Sequence, residues 1–175
     1  MKFQDYYQKL INSKEYQTFT KENKKAYPCS GLFIIDRQKG KIDVNFDYYL
    51  PDTKKIFSFK IDKSIEGIPV ENVDPTIPEK LGMNYSFDLA TYEKLILEKI
   101  AEEKINGTLQ KILFSLQKTK GKDYLVTTCF LSNLGLLKVQ IDIQQNKIIL
   151  FEKKSFFDMI RVIKGNKKEE KEKDN

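Results

Sequence analysis

Residues 88–151 read "DLATYEKLILEKIAEEKINGTLQKILFSLQKTKGKDYLVTTCFLSNLGLLKVQIDIQQNKIILF", and the spacing of their apolar positions changes partway along. Leu89, Tyr92, Ile96 and Ile100 recur every three or four residues, with Leu97 and Ala101 widening the stripe, which is the apolar face of an amphipathic helix. Asp88 stands where a carboxylate caps the first turn, Phe87 and Tyr92 have the spacing of a hydrophobic staple, and Asn106-Gly107 offers a left-handed stop. Beyond that point the period falls to two. Ile112, Phe114 and Leu116 share a face; Tyr124, Val126, Thr128 and Phe130 alternate with Leu125, Thr127, Cys129 and Leu131. Leu137, Val139, Ile141 and Ile143 then alternate with Leu136, Lys138, Gln140 and Asp142, and "KIILF" follows a short polar turn. Connections this short join antiparallel neighbours, because a parallel crossover needs about a dozen residues or more. The stretch predicts one helix laid on an antiparallel meander.

Upstream the same order appears again. Phe3, Tyr6, Tyr7, Leu10 and Ile11 have helical spacing, Ser13 can cap a second short helix carrying Tyr16 and Phe19, and Tyr27-Pro28 stops it. "CSGLFII", "IDVNFDYYL" and "KKIFSFKID" read as three strands separated by the turns "DRQKGK" and "PDT". Residues 32–62 align with 113–142 with one gap, sharing Leu32 with Leu113, Phe33 with Phe114, Lys39-Gly40-Lys41 with Lys120-Gly121-Lys122, and Ile61-Asp62 with Ile141-Asp142. A second register, setting "YLPDTKKI" against "DIQQNKII", also serves. The expected fold is α+β, two tandem units, each a helix packed on an antiparallel meander. The expected divisions are a first unit over 1–63, a linker over 64–85 containing Pro69, Pro75 and Pro78, a second unit over 86–163, and a disordered charged tail over 164–175. A short helix carrying Phe156, Ile160 and Ile163 is expected to close the second unit.

Composition narrows the chemistry. With 175 residues, 40% of them hydrophobic, the chain can bury a core. No apolar run approaches the roughly 18–20 residues of a membrane span, and "MKFQDYYQKLI" lacks the apolar centre of a signal peptide, so the expected address is the cytoplasm. There is no histidine, and Cys29 and Cys129 are far apart, which removes the usual zinc ligand sets and every histidine-dependent triad. Glycine-rich phosphate loops and nucleophile elbows are absent as well. The expectation is therefore a protein without cofactor, metal or catalytic residues, with both cysteines acting as small buried hydrophobes. The net charge of +6 would suit an acidic partner, yet Arg37 and Arg161 are the only arginines among 31 basic residues. Lysine lacks the planar fork that reads phosphates and guanines, which argues against nucleic acid as the partner.

Three groups of residues are candidates for contact. Tyr48 and Tyr49 point to opposite faces of one strand, so one of them is expected to be exposed, and Tyr124 belongs with them as a partner contact. The hairpin tips Arg37, Lys39, Lys41 and Lys118, Lys120, Lys122 could meet at equivalent edges and hold an anion, although lysine and glycine are ordinary in exposed turns. Asp43, Asp47, Asp62 and Asp142 could bind a cation or move a proton, although a solvated strand face accounts for them as simply.

The capped helix at Asp88 and the closing pattern "KVQIDIQQNKIIL", a strand ending in Asp that turns and returns apolar, resemble a PepSY-type unit, a helix-on-meander module of cystatin-like shape. Where that pattern has Thr-Gly, this chain has Gln145 and Asn146, and asparagine tolerates the left-handed turn. The resemblance covers about 86–152, with a looser copy over 13–63, and implies a non-catalytic, protein-binding or regulatory module with an unknown protein partner. The alternative expectation is a small-molecule carrier or enzyme with a pocket between helix and curved sheet, as in nuclear-transport-factor-like shapes.

Overall fold

The computed structural model describes residues 2–70 and 76–155. Two short helices come first, α1 (Phe3–Ile11) and α2 (Lys14–Glu22), followed by strands β1 (Tyr27–Asp36), β2 (Lys41–Leu50), β3 (Lys55–Ile61) and β4 (Ile65–Val70). Helix α3 (Leu89–Glu102) opens the second half, and β5 (Leu109–Thr119), β6 (Lys122–Leu131), β7 (Gly135–Asp142) and β8 (Lys147–Ser155) complete it. The class is α+β with an antiparallel sheet.

The helix starts follow from local chemistry. Ser13 accepts from the Tyr16 amide at 3.1 Å and Asp88 from the Ala90 amide at 2.9 Å, each satisfying an amide that the first turn leaves without a partner. The Phe87 and Tyr92 rings meet at 5.7 Å, as the staple spacing requires. The end of α3 differs from expectation. Lys104, at φ +50°, takes the left-handed position, and the amides of Lys104 and Ile105 return to the carbonyls of Ala101 and Ile100 at 3.1 Å. That is a Schellman stop two residues ahead of Asn106-Gly107, favoured because Ile105 then packs on the core.

All eight strands form one sheet in the order β4-β3-β2-β1-β5-β6-β7-β8, each pairing antiparallel with its neighbours. The two meanders join at β1 and β5, where Phe33 lies opposite Phe114.

The expected linker over 64–85 is corrected in both of its parts. Residues 65–70 are the edge strand β4, running beside β3 from Ile61–Ile65 to Ile56–Val70. Gly67 and Pro69 hide it in the sequence. An edge strand tolerates a proline, and a Cβ at residue 67 would come within 2.5 Å of the Phe57 ring, so glycine leaves room for that ring. Further on, Leu81, Met83, Tyr85 and Phe87 are buried while Gly82, Asn84 and Ser86 are exposed. This is an extended strap laid into the core rather than a surface crossing. Its backbone is satisfied by α1: Gln4 Nε2 donates to the carbonyls of Met83 (3.1 Å) and Tyr85 (2.8 Å), and the Phe3 amide donates to that of Phe87 (3.1 Å). The expected boundaries at 63 and 85 therefore do not mark structural breaks. The expected terminal helix and the charged tail lie outside the described residues.

One face of the sheet carries the core. Phe33, Val44, Phe46, Phe59, Ile112, Phe114, Leu125 and Val139 are buried there under Phe3 and Leu10 of α1, Phe19 of α2, and Leu89, Tyr92 and Ile96 of α3. Under α1 and α2 the helix–sheet space is filled by rings. Phe3 sits 5.6 Å from Phe46, and Phe19 sits 5.1 Å from Phe59, both edge to face.

Candidate functional site

Among the described residues the three helices and the strap lie on one face of the sheet, and no helix lies on the other, open face. Strand parity places Leu32 and Ile34 of β1, Leu113 of β5, and Val126 and Phe130 of β6 on that side, and all five are only half-buried. At the edge, Ile68 and Val70 of β4 face the same way and are 52% and 39% exposed. The apolar group at the centre of the open face is separated from these edge residues by Asn45 and Asp47 of β2 and Ser58 and Lys60 of β3. A shallow depression of about 450 Å³ lies among Ile34, Leu113, Phe130 and Lys111.

A second, more polar cleft of about 480 Å³ lies at the end of the open face where β1 begins. The register of β1 against β2 slips between Pro28 and Ser30, and this bulge turns Ser30 toward Asp47. The Ser30 hydroxyl donates to Asp47 Oδ2, while the Cys29 thiol donates to the Asp47 carbonyl at 3.4 Å. Gln117 of β5 and Ile56 of β3 border this floor, and Ile77 and Pro78 overhang it. The overhang is pinned in three ways: the Tyr27 hydroxyl donates to the Pro78 carbonyl (3.0 Å), the Leu81 amide donates to the Pro28 carbonyl (2.9 Å), and Glu79 is held by the β5–β6 turn.

That turn shows what the basic tips do. Lys120 and Gly121, at φ +52° and +76°, aim their amides at the Glu79 carboxylate, 2.6 and 2.9 Å away. The anion at this tip is the chain's own. Lys118 lies 3.6 Å from Asp123. At the other tip Arg37 pairs with Glu93 (3.0 Å) and Lys41 with Asp43 (2.7 Å), while the Lys39 amide donates to Asp36 (3.0 Å). The tips do not meet as expected. β1 and β5 are antiparallel, so the Arg37–Lys41 turn lies at the end where Asp36 faces Lys111, and the Lys118–Lys122 turn lies at the end where Ser30 faces Gln117.

Asp36 holds its own turn. Its carboxyl lies below the ordinary value of 3.8, first through the Lys39 amide and then through Lys111 at 3.2 Å, against the opposing effect of burial. A depressed carboxyl contributes stability above its unfolded value, and that contribution is lost as pH falls through the folded one. Asp36→Asn should therefore flatten the acid limb of stability below the ordinary value of 3.8 and leave the neutral-pH slope unchanged, which urea denaturation across pH would read.

The expected tyrosine contacts need correction. Tyr48 and Tyr49 do point to opposite faces, but both are buried, at 2% and 3% exposure. Tyr48 packs among Tyr16, Phe19 and Phe59 on the covered side, while Tyr49 on the open side lies against Tyr27 with ring centroids 5.5 Å apart. Tyr124 is half-buried on the open face.

The four carboxylates do not form one group, although Asp43 and Asp62 both act on Lys41. Asp142 caps the turn before β8, accepting from the amides of Gln144 (2.9 Å) and Gln145 (3.0 Å), and Asn146 at φ +49° makes the left-handed turn expected of it. Among the described residues no group of three or more carboxylates and thiols is placed to hold a metal ion. Both cysteines are buried, and burial pushes each thiol up to about 12, so neither is a nucleophile at neutral pH.

The open-face residues carry no sequence signal of their own, because whether the second side of an apolar strand is covered depends on what other parts of the chain lie over it. Of the cleft only Asp47 was a candidate in the sequence; its surroundings are made by a bulge and a distant overhang.

No protein-family model matches the chain, and no curated protein matches it. In structure it is similar to a protein from Clostridium difficile 630 described as "a putative lipoprotein", with a TM-score of 0.52 and 17% sequence identity over 80% of this chain and 90% of that one. At that identity the likeness concerns the fold. Among the described residues no helix is long and apolar enough to cross a membrane.

Proposed function

We propose that the protein is a non-catalytic binding module whose open sheet face is its contact surface for a protein partner. One observation carries this reading: a sheet that the described residues cover on one side only, whose other side presents Leu32, Ile34, Leu113, Val126 and Phe130 half-exposed in neighbouring strands. Polar and charged groups border these residues, Asp43 and Asn45 on β2 and Lys138 on β7, in the manner of an apolar centre with a polar rim. Edge pairing on β8 is a lesser route, since the bulge between Gln140 and Ile141 and the lysines at 147, 153 and 154 discourage strand addition.

Under the same reading the molecule consists of two PepSY-like, cystatin-like units. Support comes from the helix-then-four-strands order in each half and from the opposition of Phe33 and Phe114, the residues that the first repeat register equates. For location we propose the cytoplasm, with a membrane-anchored setting, as the lipoprotein likeness suggests, as the alternative; fractionation of the native cell decides between them.

The contact surface is tested by paired capture. Leu113→Glu combined with Phe130→Glu should leave the circular dichroism spectrum unchanged and remove those proteins that the wild-type chain retains. A variant that captures the same set as wild type sinks the assignment.

A further inference from the structure

We infer that the cleft beside Asp47 receives one cationic side chain, an ammonium or guanidinium group on an aliphatic stem, presented by the partner that lies on the open face. The inference rests on the proposed contact surface and names what one end of it recognises.

Three charged residues line the cleft, and two already have both oxygens bonded or an ion-pair partner. Both oxygens of Glu79 are held by the amides of Lys120 and Gly121, and the Lys118 ammonium lies 3.6 Å from Asp123. Asp47 has no ion-pair partner among the described residues. Among the described residues its one side-chain bond, from the Ser30 hydroxyl to Oδ2, comes from a neutral donor that fixes the carboxylate's orientation and leaves Oδ1 without a bond. The bulge at Cys29 produces that orientation.

The rest of the cleft suits the stem of such a group. Ile56 on the floor and Ile77 and Pro78 on the overhang give it apolar walls, while Gln117 can share a donor at its head. An anion would meet the Asp47 charge without compensation, and a purely apolar side chain would leave the carboxylate and Gln117 without new partners. The shape is open, so the contact is weak alone and acts as a specificity element beside the apolar surface.

The test uses the full chain labelled with ¹⁵N and titrated with N-acetyl-lysine amide, N-acetyl-arginine amide and, as the uncharged stem, N-acetyl-norleucine amide. The expected result is saturable shifts of the Ser30, Asp47, Gln117 and Thr119 amides with the two cationic probes, reduced by salt, with norleucine giving none. Asp47→Asn should weaken the cationic probes about tenfold, the scale of one charge-assisted contact. Gln117→Lys, which places a tethered ammonium beside Asp47, should block them and serves if Asp47→Asn loses its dispersed spectrum. Equal shifts from norleucine and lysine, shifts spread away from the cleft, no shifts at all, or undiminished binding by the variants would each overturn the inference. Cationic probes that ignore the cleft, while Leu113→Glu with Phe130→Glu still abolishes capture, remove this inference and leave the contact surface standing. Binding in the cleft with capture unaffected by those substitutions overturns the contact surface instead.

Discussion

Replacing Phe3 by alanine should lower the free energy of unfolding by about 3–5 kcal/mol, the cost of emptying a large aromatic site in a core that cannot close over it. Phe3 is fully buried, and its ring centroid lies 5.2–6.0 Å from those of Tyr7, Phe33, Phe46, Tyr85 and Phe87. These rings belong to α1, β1, β2 and the strap, so one side chain joins four parts of the chain. Domains of this size are stable by about 5–15 kcal/mol, which makes the loss a large share of the whole. Urea denaturation should show a lower midpoint at an unchanged slope if the cavity alone is responsible. A reduced slope would mean that α1 has come off the sheet in the variant, exposing the strap carbonyls that Gln4 now satisfies. A loss below about 0.5 kcal/mol, the range of an ordinary surface change, would contradict the burial of Phe3.

The second large effect separates two adjacent residues. Phe114→Ala should cost about 3–5 kcal/mol, and Leu113→Ala no more than about 1.5 kcal/mol, because the first empties the covered face and the second trims the open one. Phe114 is fully buried between Phe33 of β1 and Thr127 of β6, both also fully buried, whereas Leu113 lies between Ile34 and Thr128, which are half-buried. Chemical denaturation of both variants is the measurement. Similar losses at the two positions would mean that the open face is covered, and the proposed contact surface would have to be abandoned along with its cleft.

Much of the local structure was legible, and the reasons are local. Ser13 and Asp88 cap because their side chains reach an amide two or three residues on, and the alternation in "DYLVTTCFL" specifies β6 without reference to any other strand. The failures lie where a distant part of the chain decides. Tyr49 is on the outward side of β2 as alternation demands, but Tyr27 and the neighbouring strands bury it there. β4 carries a glycine and a proline that normally break strands, and it survives because it is an edge accommodating the Phe57 ring. The strap is different: Leu81, Met83, Tyr85 and Phe87 alternate plainly, and the prolines before them drew the reading toward a loop. The joining of two meanders into one sheet was illegible in principle, since it rests on a pairing between residues 81 positions apart.

That separation sets a clock during synthesis. β1 lies inside the finished sheet, but β5, its neighbour on one side, is made only 81 positions later, which at about 5–20 residues per second is roughly 4–16 s. Throughout that interval the first meander has a strand of ten residues with bare amides and carbonyls at what is temporarily its edge, bearing Leu32, Phe33, Ile34 and Ile35. The nascent chain is most vulnerable to self-association then, and conditions that slow elongation between residues 37 and 109 should lower the soluble yield more than the same delay imposed after residue 119.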